Sequence, residues 1–431
     1  MSRPTPTSDL EWRRNVAKDV RSLQRRGAGR DLIQSGSIRR ALLAPTYAGE
    51  GPAQVTLEGY DELTTEAYDW LHPYVPAGSR EVDLIRLDGT YKIMGQSGER
   101  GRGGWERVSL LANWSSYAFT VADPQWADRA RVSLLPSGIV VLSGLIAGGT
   151  TTADTTVGIL PEGMRPDTDM LFPVNNADVA RAIKVLATGE VQLSGSGNTS
   201  TYISIDGIAF PAAGVATWTP ITTFLNGWVD FGASRWGVPR IWVDPDGVIW
   251  FAGLLKNGST TGEARMFTLP GGVTPHLEEH VAVASNESFG AIGGETGTGH
   301  IVVKALSSST WVSLGGVTML TTAAYNGAGW ITPRYVNAWA NHANAGTLFP
   351  VPAMWRRWDG LCMTRGLIVG GTIGATAFLL PQEMRPTSRI IITNVSNGAR
   401  GRLDIYPSGS FAAHQGNNAW YSLDSLKWYP G

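Results

Sequence analysis

Pro245-Asp246-Gly247-Val248-Ile249-Trp250-Phe251-Ala252-Gly253-Leu254-Leu255 reads as a tight turn feeding a strand that is apolar on both faces. The turn needs Gly247 because two-residue hairpin turns require positive φ. The same unit recurs twice. It runs from Pro136-Ser137-Gly138 through Ile139 to Leu142 and Gly144-Leu145-Ile146, and from Trp358-Asp359-Gly360 through Leu361 to Thr364 and Gly366-Leu367-Ile368. In all three, the turn glycine and the strand glycine stand six residues apart.

Further landmarks keep the same register. A Leu-Pro pair follows at Leu160-Pro161, Leu269-Pro270 and Leu380-Pro381, with a second proline at Pro166, Pro275 and Pro386. Each copy closes on an aromatic and a serine: Tyr202 and Ser204, Trp311 and Ser313, Trp420 and Ser422. From the Leu-Pro proline to the closing serine the offsets are 43, 43 and 41 residues. Such register identifies internal repeats. The chain divides into a helix over 1–30, a small β-domain with a Gly/Arg linker over 31–107, and modules over 108–214, 215–327 and 328–431.

β-branched and aromatic residues, broken by Gly and Pro about every ten residues, are the pattern of a jelly-roll-like β-sandwich. Leu-Pro…Pro cannot be a central strand, because proline donates no ladder hydrogen bond; it reads as a bridging loop or an edge. One face of a doubly apolar strand fills its own sandwich, and the other needs a cover. A symmetric neighbouring chain would supply it, giving a homo-oligomer. The alternative is a sheet buried twice within one chain.

Composition agrees with a folded, mainly β protein. Of 431 residues, 43% are hydrophobic and only 16% charged, with 53 glycines and 17 tryptophans. A net charge of −1 offers no electrostatic footprint for nucleic acid or an anionic membrane surface. One cysteine, Cys362, excludes an intrachain disulfide. No apolar run approaches the length of a membrane span, and the polar stretch Met1 to Leu10 does not read as a secretory signal.

In the N-terminal part, Val16, Val20 and Leu23 form one apolar stripe on a predicted helix over 9–26. Its other faces are Arg-rich: a solvated surface, or a short docking or self-associating helix. Ala53 to Leu57 and Glu81 to Leu87 alternate as strands, and Asp88-Gly89-Thr90 to Ile93 reads as a hairpin. The Gly/Arg-rich stretch 95–104 reads as a linker.

No catalytic constellation emerges. His276-Leu277-Glu278-Glu279-His280 matches an H-x-x-E-H zinc pattern formally, but that motif needs a helix, and the counterparts in the other copies read as loop leading into strand. No Gly-x-Ser-x-Gly elbow occurs, and Cys362 falls at a core-like strand position. Asp206 and Asp424 are equivalent, with Gly315 in the second copy, so they read as turn residues. We expect no enzyme activity, cofactor or metal. Trp355, Trp358, Asn417, Asn418 and Trp420 are candidate ligand contacts: indole faces stack on sugars, and the amides supply hydrogen bonds.

Asn226-Gly227-Trp228, Asp246-Gly247, Leu160-Pro161-Glu162-Gly163-Met164-Arg165-Pro166 and Ile203-Ser204-Ile205-Asp206-Gly207-Ile208 resemble the repeated C-terminal β-domains of minor tail proteins and fibre-like receptor-binding proteins of tailed phages of actinobacteria. Tyr74-Val75-Pro76-Ala77-Gly78 and Leu87 to Gly95 resemble the OB-like domain near the start of such proteins. The second copy departs from the pattern at Thr274, where the others have Arg165 and Arg385. The resemblance implies C1q- or TNF-like trimeric jelly rolls and a homotrimer at the virion tail tip. Residues 1–107 would dock on other tail-tip or baseplate proteins, and the modules would bind a host envelope glycan or surface protein. A purely structural tail component and a tail-borne glycan depolymerase are the rival readings.

Overall fold

The computed structural model describes residues 104–117 and 130–430, together with four strands nearer the N-terminus. The helix expected over 9–26 lies outside the described residues. The chain forms two compact units, Met1–Gly104 and Trp105–Gly431. In the first, Val55–Leu57, Ile38–Leu43, Glu81–Leu87 and Thr90–Gln96 form one antiparallel sheet in that order. Its last two strands are the expected hairpin, with Leu87 opposite Thr90.

The second unit is mainly β and holds the three repeats. Module one curls an eight-stranded sheet against a four-stranded one, and module two repeats the strand order position for position. Module three has seven and three strands. An isolated bridge between Tyr335 and Phe378 lies beside the strand Thr376–Leu379, where the other modules carry an edge strand. Each large sheet is centred on a long hairpin: Met170–Asn176 with Val179–Val185, His280–Ser285 with Ser288–Gly294, and Ile390–Ser396 with Ala399–Ile405. The Leu-Pro segments are loops, as expected. Leu160, Leu269, Leu380, Met164 and Met384 turn inward from them and are buried.

Each module has its own apolar core. A fourth core is shared between the modules, and in it the second faces of the doubly apolar strands are buried. Val140 and Leu142 point into module one, whereas Ile139 and Val141 point out of it. Likewise Ile249 and Phe251 point into module two, and Val248 and Trp250 out. The outward residues meet Leu361 and Met363 of module three in one cluster. Strands Met170–Asn176, His280–Ser285 and Ile390–Ser396 also each contact the other two. The modules therefore surround an approximate three-fold axis, and the cover comes from within the chain.

Candidate functional site

The repeated landmarks converge on the seams between modules. Ser204 Oγ donates to the carbonyl of Ile391 at 2.7 Å, and Asp206 Oδ2 accepts from the Ile391 amide at 3.0 Å, so module one clasps the backbone of module three at a single residue. Module three clasps module two in the same way. Ser422 Oγ donates to the His280 carbonyl at 2.7 Å, and Asp424 Oδ2 accepts from its amide at 2.9 Å. Ser313 donates to the Leu171 carbonyl at 2.7 Å, joining module two to module one. There the carboxylate is missing: Gly315 takes its place, and a Cβ on it would overlap the Leu171 carbonyl oxygen. Leu171, His280 and Ile391 are equivalent residues, so the clasps run round the ring in one direction.

The closing aromatics reinforce the seams. Trp311 packs in a cluster with Leu171. Trp420 meets the His280 ring edge-on, with centroids 4.9 Å apart. The Tyr202 hydroxyl accepts from Arg402 at 3.2 Å, and the same guanidinium pairs with Asp178.

At the axial turns, Leu135, Asp244 and Arg357 are equivalent but chemically unlike. Arg357 Nη1 donates to Asp244 Oδ2 at 2.6 Å, and Nη2 lies 3.2 Å from Asp246. Trp250 Nε1 donates to the same Asp244 oxygen at 3.0 Å. Burial opposes the Arg357 charge, but Asp244, Asp359 and Asp246 outweigh it and hold the guanidinium ionised above its usual range.

Burial also perturbs the clasp. It pushes Asp206 up to about 6, although the Gly144 and Ile391 amides oppose it. Asp424 rises for the same reason, and Glu279 rises further through burial and the nearby Asp424 charge. Lys427, buried between modules two and three, is pushed down to about 7 by desolvation. It donates to the Gly316 carbonyl at 2.8 Å and the Ser425 carbonyl at 2.6 Å. An axial cavity of about 40 Å³, lined by Asp206, Gly315, Thr393, Asp424 and Lys427 among others, has the volume of a few water molecules.

The five candidate ligand contacts fall into two groups. Trp355 lies in strand Ala353–Arg356 and is 7% exposed in the shared axial core, not on a loop. Trp358, in the adjacent turn, donates Nε1 to Asp246 at 3.0 Å. Asn417 and Asn418 are exposed on the loop before Trp420. Asn418 Nδ2 donates to the Gly371 carbonyl at 2.8 Å, and Asn417 Oδ1 accepts from the Ala419 amide at 2.7 Å. Packing and intermodule bonds therefore occupy Trp355 and Trp358, while the loop of module three remains at the surface.

His276 sits in a loop against the Tyr325 ring, and His280 opens a strand, bonded through Nε2 to Glu278 at 2.9 Å. Among the described residues no three His, Cys, Asp or Glu side chains gather in a metal-binding group, and no helix is long and apolar enough to cross a membrane. Cys362 is buried in a core strand, and burial pushes its thiol well above the usual range.

Another repeated feature emerges only in three dimensions. Trp114, Trp228 and Trp339 each follow a turn with two positive-φ residues, and each indole lies where Gly149, Gly258 or Gly371 leaves no room for a Cβ. Comparison with family models, curated proteins and solved structures finds no match to the chain.

Proposed function

We propose that this protein is a non-catalytic attachment protein of a virus tail tip. Its N-terminal part docks on other tail-tip or baseplate proteins, and its three-module unit binds a host envelope glycan outside the cell. One observation carries the reading: the copies share their turn and strand glycines, Leu-Pro pairs and closing serines but not the loops before the closing aromatics. Those loops are Gly195 to Thr201, Ser307 to Thr310 and Gly416 to Ala419. All are rich in hydroxyl, amide or bare backbone groups, and each leads into a half-buried aromatic: Tyr202, Trp311 or Trp420. Hydroxyl-rich ligands are held by such convergent polar groups beside an aromatic face. Three loops on one body allow weak contacts to add. The resemblance to phage tail proteins points the same way.

The test is competition for adsorption. Purified chain should block attachment of the virus to its host, and Asn417→Ala/Asn418→Ala, still folded at the assay temperature despite losing the bonds to Gly371 and Ala419, should block less well. No competition by the unaltered chain would favour a structural tail component. Release of reducing sugar from host envelopes would favour a depolymerase.

A further inference from the structure

We infer that one chain is a complete three-fold unit, with one module of each kind around the axis, rather than one strand of a three-chain stack of like modules. In such a stack, every axial position would be filled by three identical side chains. Three copies of Asp244 would meet in one layer and three copies of Arg357 in another. Their side chains are 0% and 2% exposed, so solvent cannot screen the repulsion. The mixed ring instead sets Asp244 against Arg357 and leaves Leu135, the third equivalent residue, in the apolar cluster beside them. The layer of Val141, Trp250 and Met363 follows the same logic. Three tryptophans would overfill it and three valines would underfill it, whereas small, large and intermediate side chains together fill one space. Gly315 adds a polarity, since it alone of the three clasp positions lies against the carbonyl of Leu171.

The decisive experiment asks whether the closing seam, between modules one and three, lies within a chain or between chains. Asp178 and Arg402 are in ionic contact across it. Full-length Asp178→Cys/Arg402→Cys is bridged with a short bis-maleimide; buried Cys362 stays unreactive. The expected result is a single-chain band on a denaturing gel, containing the bridged peptide pair. Bands of two and three chains, or no bridged peptide, would overturn the inference. The unaltered chain provides a second measurement that does not depend on how the variant folds. Its melting temperature should stay constant over a hundredfold range of protein concentration, whereas a rise with concentration would indicate a three-chain ring and overturn the inference.

Discussion

Arg357 Nη1 lies 2.6 Å from Asp244 Oδ2, across 113 residues of chain and a boundary between two modules, with neither side chain open to solvent. The pair is surrounded by acceptors that depend on the same guanidinium, Asp246 and Asp359 among them. Removing the cation would therefore strand several buried carboxylates at once. Arg357→Leu should cost about 3–5 kcal/mol in a urea titration. Asp244→Leu/Arg357→Leu, which makes the axial triad uniformly apolar, should cost less than Arg357→Leu alone.

Gly315→Ala should loosen the seam between modules one and two. Its Cβ would overlap the Leu171 carbonyl oxygen, which already accepts from Ser313. The strand must move, at a cost of about 1–3 kcal/mol. Gly262→Ala meets nothing within 4 Å and should leave the melting temperature nearly unchanged.

Stability should fall as pH rises from 4 to 6.5. Asp206 is held at about 6 in the folded chain against an ordinary 3.8, so the folded state keeps a proton that the unfolded state has lost. Its contribution is fully present below 3.8 and disappears by about 6, a difference of about 3 kcal/mol. Asp424 and Glu279 shift in the same direction. In Asp206→Asn the slope over this window should flatten. The variant should also be less stable throughout, because an amide cannot accept on both sides from Gly144 and Ile391. A slope unchanged by Asp206→Asn would refute the assignment.

Lys427 has the opposite sign in a separate window. It is charged in the unfolded chain up to about 10.5 but only up to about 7 when folded, so stability should climb as pH rises from 7 towards 10.5. Lys427→Met should remove that climb in melting curves recorded at pH 7, 8 and 9.

Trp228→Ala should cost about 3–5 kcal/mol, because the indole fills the space beside Gly258 and is 1% exposed in its module core. Chemical denaturation monitored by circular dichroism would measure the loss.

Much of the fold was legible because the repeats mark it with residues that have few physical substitutes. Gly138, Gly247 and Gly360 all adopt φ near 85°, where other residues are strained. The doubly apolar strand also announced a second buried face correctly. It could not say whose surface would cover it, because partners such as Ser204 and Ile391 lie 187 residues apart. Local pattern carries no record of such a pairing. The hairpin turns show the same limit. Asn397-Gly398 reads as a turn, but Ala177-Asp178 bends just as tightly without the usual residues. The closing serines and Asp206 were visible as landmarks, yet their role as clasps depends on a neighbour three-dimensional space alone supplies. Pattern also left the direction of Trp355 open, because an indole beside a turn gives no sign of which way it faces; it packs into the shared core.

Gly315 stands where two other modules carry Asp206 and Asp424, a difference that a ring of identical modules could never display. A codon altered in a gene for a symmetric trimer changes three faces together, whether or not all three benefit. Here one codon alters one face and leaves the other two untouched. Each rim can therefore drift under its own selection, and a single polypeptide can come to present three dissimilar surfaces while its shared axis stays closed.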